Sequence, residues 1–134
     1  MNFISRDTDY AIRALVYMAK MAKKKKDIFT VDEIVKEERL PERFLRRILQ
    51  KLAKKGVLRS YKGKEGGFSL INSPKKITLT DIIKVFQGEV DLTNCFLKGK
   101  ICPNIRTCAL RKKLKGIGRG LDRELRSITI ASLL

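Results

Sequence analysis

The chain has 134 residues and a formal net charge of +17, because 31 Lys and Arg residues outnumber 14 Asp and Glu residues. This length predicts one domain that can bury a hydrophobic core. The charge favours a polyanionic partner, either nucleic acid or an anionic membrane surface; the alternative is a lysine-rich surface that serves solubility. The chain shows no apolar run of about 20 residues and no signal-peptide pattern, so we expect a cytoplasmic protein without a membrane span.

The beginning of the chain predicts two helices. Apolar residues recur at helical spacing over residues 7–22, which indicates a first amphipathic helix. Thr30 and Glu33 then form a capping-box pattern, in which each side chain bonds the backbone amide of the other. We therefore expect a second, short helix that starts at Val31.

A third predicted helix, over residues 42–55, has one apolar and one basic face. Pro41 suits its first position and Gly56 ends it, so that helices two and three form a helix-turn-helix pattern. Arginine fits the O6 and N7 atoms of guanine, and glutamine can pair with adenine. The candidate DNA-binding residues on this helix are Arg43, Arg46, Arg47, Gln50 and Lys51. Ordinary solvated charges on an amphipathic helix are the alternative.

The next segment predicts a β-hairpin. Residues 57–61 and 67–71 read as short strands, and the glycine-rich sequence between them reads as a hairpin tip. A hairpin directly after a basic recognition helix is typical of the wing of a winged helix. Arg59, Lys62 and Lys64 are therefore candidate DNA-binding residues as well.

The C-terminal part predicts a short helix, a loop and a long helix. Thr78 and Asp81 cap the short helix, and residues 90–106 read as a loop. The long helix, over residues 106–131, carries an apolar stripe that needs a partner surface and suits dimerisation. Three glycines within this range, Gly116, Gly118 and Gly120, weaken the prediction of a continuous helix. We expect a mainly α fold with a small β-hairpin: a winged helix-turn-helix domain (1–88), a cysteine loop (89–105), and a dimerisation helix with a C-terminal tail (106–134).

The three cysteines of the chain lie close together, at Cys95, Cys102 and Cys108, and the chain has no histidine. Iron–sulfur clusters are held mainly by thiolates, and this spacing leaves room for a loop to wrap one. A zinc site usually contains a closer cysteine pair, which is absent. Zinc, a thiol switch and inert apolar cysteines remain alternatives.

The chain resembles the IscR/NsrR/CymR (Rrf-type) family of winged-helix regulators over nearly its full length. The segments that carry the resemblance are DYAIRAL from Asp9, FLRRILQKL from Phe44, GVLRS from Gly56, GKEGGFSL from Gly63, ITLTDII from Ile77, and the cysteine loop.

The resemblance implies a dimeric regulator of the iron–sulfur-binding branch. Cys95, Cys102 and Cys108 would then hold a 2Fe–2S or 4Fe–4S cluster, and Asp9 of the partner subunit would supply the fourth ligand. A charge favoured by the helix dipole is the alternative role of Asp9.

These observations lead to one main functional hypothesis and two alternatives. The main one is a homodimer that binds a palindromic DNA operator with an affinity switched by the cluster. A cluster-free regulator controlled by thiol oxidation or a protein partner is the second, and a basic RNA- or ribosome-associated protein is the third. An enzyme is not expected, because the chain lacks histidine, a paired carboxylate motif and a phosphate-binding loop.

Overall fold

The computed structural model describes residues 3–64, 66–90 and 106–134, which are mainly helical with one β-hairpin. In chain order its elements are α1 (Arg6–Ala22), α2 (Val31–Glu38), α3 (Glu42–Lys54), β1 (Leu58–Tyr61), β2 (Gly67–Leu70), α4 (Leu79–Phe86) and α5 (Ala109–Ser127). Two 3-10 turns occupy Pro74–Lys76 and Ala131–Leu133. The predicted order of helices and hairpin is confirmed.

Short-range capping signals start two of the helices as predicted. Thr30 with Glu33 begins α2 and Thr78 with Asp81 begins α4, and both pairs form complete capping boxes. The predicted range of α3, residues 42–55, agrees with the structure to within one residue, but Pro41 does not occupy the first helical position as expected. Pro41 is the residue before the helix, with an extended ψ of 124°, so the helix begins at Glu42.

The hydrophobic core lies where α1, α2 and α3 meet the hairpin and α4. Helix α3 buries one face against this core, which leaves its opposite face to solvent. The core includes these fully buried side chains: Leu15, Met18, Phe29, Ile34, Leu45, Ile48, Leu49, Leu52, Leu58, Ile82 and Ile130.

The hairpin is attached to the helices through Phe29, which pairs with the second strand as a third strand would. Strands β1 and β2 are antiparallel, with Leu58 opposite Leu70. Phe29, which precedes α2, pairs with Phe68 of β2 through two backbone hydrogen bonds of 2.8 Å. A Cβ atom at Gly67 would lie 2.4 Å from the carbonyl oxygen of Phe29, so glycine permits this close approach. The wing is therefore docked to the core beside α3.

The C-terminus departs from the prediction of a helix over residues 106–131. Helix α5 spans Ala109–Ser127, after which Ile128 is extended, Thr129 forms a β-bridge with Thr78, and a 3-10 turn follows. The amide of Ile130 donates to the carbonyl oxygen of Ile77 over 2.9 Å, and the Ile130 side chain is fully buried. Burial of this side chain and pairing of its backbone hold the chain after α5 against the residues before α4.

The apolar stripe of α5 is divided between two environments. Leu125 is buried against the rest of the chain, which corrects the expectation that the whole stripe needs an external partner. Leu110 and Ile117 are 66% and 59% exposed and Leu114 between them is partly buried, so the first half of the stripe is only partly covered by the described residues. In these residues no helix combines the length and apolar character that a bilayer crossing requires.

Candidate nucleic-acid interface

The exposed face of α3 carries the candidate DNA-binding residues. With about 100° between successive residues, Arg43, Arg47 and Gln50 fall within an arc of about 60° opposite the buried face. Lys54 lies within the same arc, although we did not include it among the candidates. The structure thus groups three candidates on one solvent-facing strip, and Arg46 and Lys51 flank that strip on either side.

The three arginines of α3 differ in their contacts. Arg46 pairs with Glu42 of the same helix at 3.0 Å, and Arg47 pairs with Asp7 of α1 at 3.2 Å. Arg43 makes no ion pair with any residue that the structure describes. Arg43 can therefore contact a ligand without breaking a salt bridge. Arg46 and Arg47 are each already paired with a carboxylate when a ligand approaches.

Two aromatic rings also lie close to the cationic side chains of residues on or beside α3. The guanidinium carbons of Arg6 and Arg47 lie 4.0 and 5.6 Å from the centre of the Phe44 ring, and the Lys51 nitrogen lies 5.4 Å from that of Phe86. These are cation–π distances. Phe44 is half-buried, as its place on the apolar face predicted, but its role as a platform for arginine had no signal in the sequence.

Side-chain hydrogen bonds fix the start of α1, from which Asp7 projects. Ser5 caps the helix by accepting from the amide of Thr8. The Oε1 atom of Gln87, just after α4, accepts from the Ser5 amide at 2.9 Å and from the buried Thr8 hydroxyl at 2.7 Å. Its Nε2 atom donates to the carbonyl oxygen of Phe3 at 2.9 Å. The first turn of α1 is thereby tied to the end of α4.

The wing presents the other three candidate residues to solvent. Arg59 on β1 and Lys62 and Lys64 at the hairpin tip are all exposed. Tyr61 also lies on β1 and is exposed. The hydroxyl of Ser69 on β2 donates a hydrogen bond to the Tyr61 oxygen, which lowers the pKa of Tyr61. Strand β1 contacts α3, so the wing adds three exposed cations beside those of α3, and such cations are the usual partners of DNA phosphates.

The predicted ligand set lies only in part within the described residues. Cys95 and Cys102 fall outside them. Cys108 is the residue before α5 and is partly exposed, and Asp9 is 45% exposed and pairs with Arg13 at 3.0 Å. Within the described ranges no three His, Cys, Asp or Glu side chains are close enough to hold a metal ion.

A capped helix, a basic recognition helix and a docked hairpin in this order define a winged-helix DNA-binding protein. The profile of the Rrf2 family, described as "Iron-dependent Transcriptional regulator", matches residues 4–134. The chain therefore belongs to the Rrf2 family of transcriptional regulators.

Similar proteins agree with this assignment. Protein aau3 of Rhizobium meliloti is 31% identical over 98% of this chain and 84% of its own length. The HTH-type transcriptional regulator NsrR of Shouchella clausii is 29% identical over 82% of this chain and 70% of its own length.

Solved structures share the fold. The structure of CymR, the global cysteine regulator of B. subtilis, has a TM-score of 0.79 and 24% identity over 99% of this chain and 96% of that protein. The structure of T. potens IscR has a TM-score of 0.76 and 22% identity over 98% of this chain and 85% of that protein.

Proposed function

We propose that this protein is a homodimeric transcription regulator whose DNA affinity is switched by an iron–sulfur cluster on Cys95, Cys102 and Cys108. The observation that carries the proposal is the position of the cysteines in the chain. They occupy the connection between α4 and α5, and the last turn of α4 contacts both α3 and the start of α1. A change in this connection can therefore act on the DNA-binding face.

In the proposed complex α3 enters the major groove. Arg43, Arg47 and Gln50 face the base edges, and Arg46 and Lys51 flank them. The wing residues Arg59, Lys62 and Lys64 bind phosphates beside this groove. Because lysine and arginine contacts release counterions, binding falls steeply as the salt concentration rises.

The donor set suits an iron–sulfur cluster. Three thiolates within a 14-residue segment match the usual ligands of iron–sulfur clusters. The third, Cys108, lies at the positive end of the α5 dipole, which favours an anionic ligand sulfur. The iron-dependent description of the family supports iron as the metal. When bound, the cluster would supply a redox- and oxygen-sensitive metal centre.

Asp9 of the partner subunit is the proposed fourth ligand. Its carboxylate is accessible and is held by the exposed Arg13 across a single helical turn. A hard carboxylate binds iron more weakly than a thiolate does, so this contact is the one most easily lost. The exposed first half of the α5 stripe is the proposed dimer surface, and a two-fold dimer matches a palindromic operator with half-sites about 34 Å apart or a multiple of that distance.

Control by thiol chemistry without a cluster is the second candidate. It is favoured by the similarity to CymR, which has also been solved for Staphylococcus aureus in a form described as oxidized. Cys108 is a free thiol and partly exposed, as such control requires. In this case the same connection between α4 and α5 would respond to oxidation of its cysteines.

The experiment that separates the two candidates begins with protein purified without air. The cluster predicts visible absorption and stoichiometric iron and sulfide, which each of the Cys95→Ser, Cys102→Ser and Cys108→Ser variants should lose. DNA affinity is then titrated for loaded and stripped protein at one salt concentration, with a duplex that the wild-type protein selects from a random pool. Coupling in the usual range predicts about a 5- to 150-fold difference. Colourless wild-type protein, or equal affinities, would remove the cluster switch.

A further inference from the structure

We propose that Asp7 is a positioning residue that determines which base Arg47 reads, and that it is thereby a determinant of DNA sequence specificity. The proposal rests on the proposed role of α3 in base recognition. Asp7 lies in the first turn of α1, and its carboxylate accepts from Nη2 of Arg47, with Oδ2 at 3.2 Å and Oδ1 at 3.5 Å. The contact therefore joins two different helices, 40 positions apart in the chain.

The contact restrains Arg47 without using up its hydrogen-bonding capacity. Asp7 engages only Nη2, and the centre of the Phe44 ring lies 5.6 Å from the guanidinium carbon. Nη1 and Nε remain available as donors for a base edge, and Arg47 is 60% exposed. An arginine held in one orientation loses less conformational freedom on binding than a mobile one, which sharpens its choice of partner.

Asp7 is itself held in place, unlike an ordinary surface carboxylate. Its side chain is 31% exposed, and the turn that carries it is capped by Ser5 and bound by the two hydrogen bonds that Gln87 accepts from Ser5 and Thr8. The pair formed by Glu42 and Arg46 provides a matched comparison. That pair lies within α3, and both of its side chains are more than half exposed, so it offers no rigid support from another element.

A positioning role and a simple charge effect have opposite consequences. Asp7→Asn and Glu42→Gln each remove one negative charge from the DNA-binding side, so both should strengthen binding to unrelated DNA. Only the loss of Asp7 should also weaken the base preference that depends on Arg47. Higher non-specific affinity together with poorer discrimination is therefore the signature expected for Asp7→Asn.

The test is selection from a random duplex pool, followed by sequencing, for wild-type protein and the variants Asp7→Asn, Glu42→Gln, Arg47→Ala and Asp7→Asn with Arg47→Ala. Arg47→Ala should abolish the preference at one position of each half-site. Asp7→Asn should weaken the preference at that same position by about 3- to 10-fold, Glu42→Gln should not, and the double variant should match Arg47→Ala. Asp7→Glu, which keeps the carboxylate, should retain most of the preference.

Two results would overturn the inference in different ways. If Asp7→Asn keeps the wild-type preference where Arg47→Ala loses it, Asp7 does not position Arg47, while the role of α3 stands. If Arg47→Ala itself keeps every preference, the assignment of Arg47 as a base-reading residue fails, and the inference fails with it. Thermal unfolding of each variant, followed by circular dichroism, shows whether the fold is retained, and Asp7→Glu tests the role should Asp7→Asn not fold.

Discussion

Replacement of Leu110 or Ile117 by serine tests the proposed dimer surface most directly. Both side chains lie on the first half of α5 and are exposed in the described protomer. If α5 forms the dimer contact, each substitution replaces apolar surface that the partner would cover. Both variants should therefore weaken dimerisation and leave the fold of the protomer intact.

The size of the effect follows from the exposed fractions. Complete burial of a leucine or isoleucine side chain contributes about 1.5–3 kcal/mol, and Leu110 and Ile117 have 66% and 59% of their surface still to bury. Burial of this remaining surface by the partner subunit would stabilise the dimer by about 1–2 kcal/mol per residue. Two-fold symmetry repeats each contact, so one substitution should cost about 2–4 kcal/mol and raise the dimer Kd by about 30- to 700-fold.

Sedimentation equilibrium over a range of protein concentrations measures this change. Ile71→Ser is the matched control, because Ile71 is also an exposed apolar residue, at 46%, but lies after β2 and not on α5. We expect its dimer Kd to equal that of the wild type. An unchanged Kd for both Leu110→Ser and Ile117→Ser would refute the assignment of α5 as the dimer surface.

Three further substitutions test features of the protomer. Gly116→Ala should stabilise α5 by about 1 kcal/mol, because a Cβ there meets no described atom within 4 Å, and a lower melting temperature would contradict this. Gln87→Leu should cost about 1–3 kcal/mol in urea unfolding, because the buried Thr8 hydroxyl loses its acceptor and keeps only the Ser5 hydroxyl as a partner, and adding Thr8→Val should recover part of the loss. Partial burial raises the pKa of Glu33, but hydrogen bonding and the charge of Lys26 lower it more, so its folded-state pKa lies below the ordinary value of 4.5. The contribution of Glu33 to the free energy of unfolding is present above pH 4.5 and is lost as the pH falls through the folded-state pKa. In the Glu33→Gln variant the free energy of unfolding should therefore change less steeply with pH in this acid range. An unchanged slope of the free energy of unfolding against pH would contradict this role of Glu33.

The elements that the sequence predicted well depend on residues near one another in the chain. Thr30 and Glu33 are three positions apart, as are Thr78 and Asp81, so each capping box can be recognised within one helical turn. Gly56, with a φ of +83°, likewise ends α3 through its own backbone freedom. The exposed basic face of α3 followed from helical spacing alone.

The features that could not be predicted depend on contacts between distant residues. Ile128 continues the helical spacing of α5, so the pattern favoured a longer helix, but the pairing of Ile130 with Ile77 ends it. The contact of Asp7 with Arg47 and the bonds of Gln87 to the first turn of α1 join different elements. No local pattern marks such pairs, because only the packing of the helices brings them together.

The contacts of α4 indicate how the cysteine connection can influence DNA binding within one protomer. Phe86 contacts Lys51 of α3, and Gln87 binds the first turn of α1, from which Asp7 holds Arg47. We therefore expect movement at the end of α4 to displace two cations of the proposed DNA-binding face, Lys51 and Arg47. In the first half of α5, Leu110 and Ile117 are exposed. We therefore expect a change at the cysteines to alter the contacts with the bases through α4. Helix α5 would set the distance between the two recognition helices of the proposed dimer.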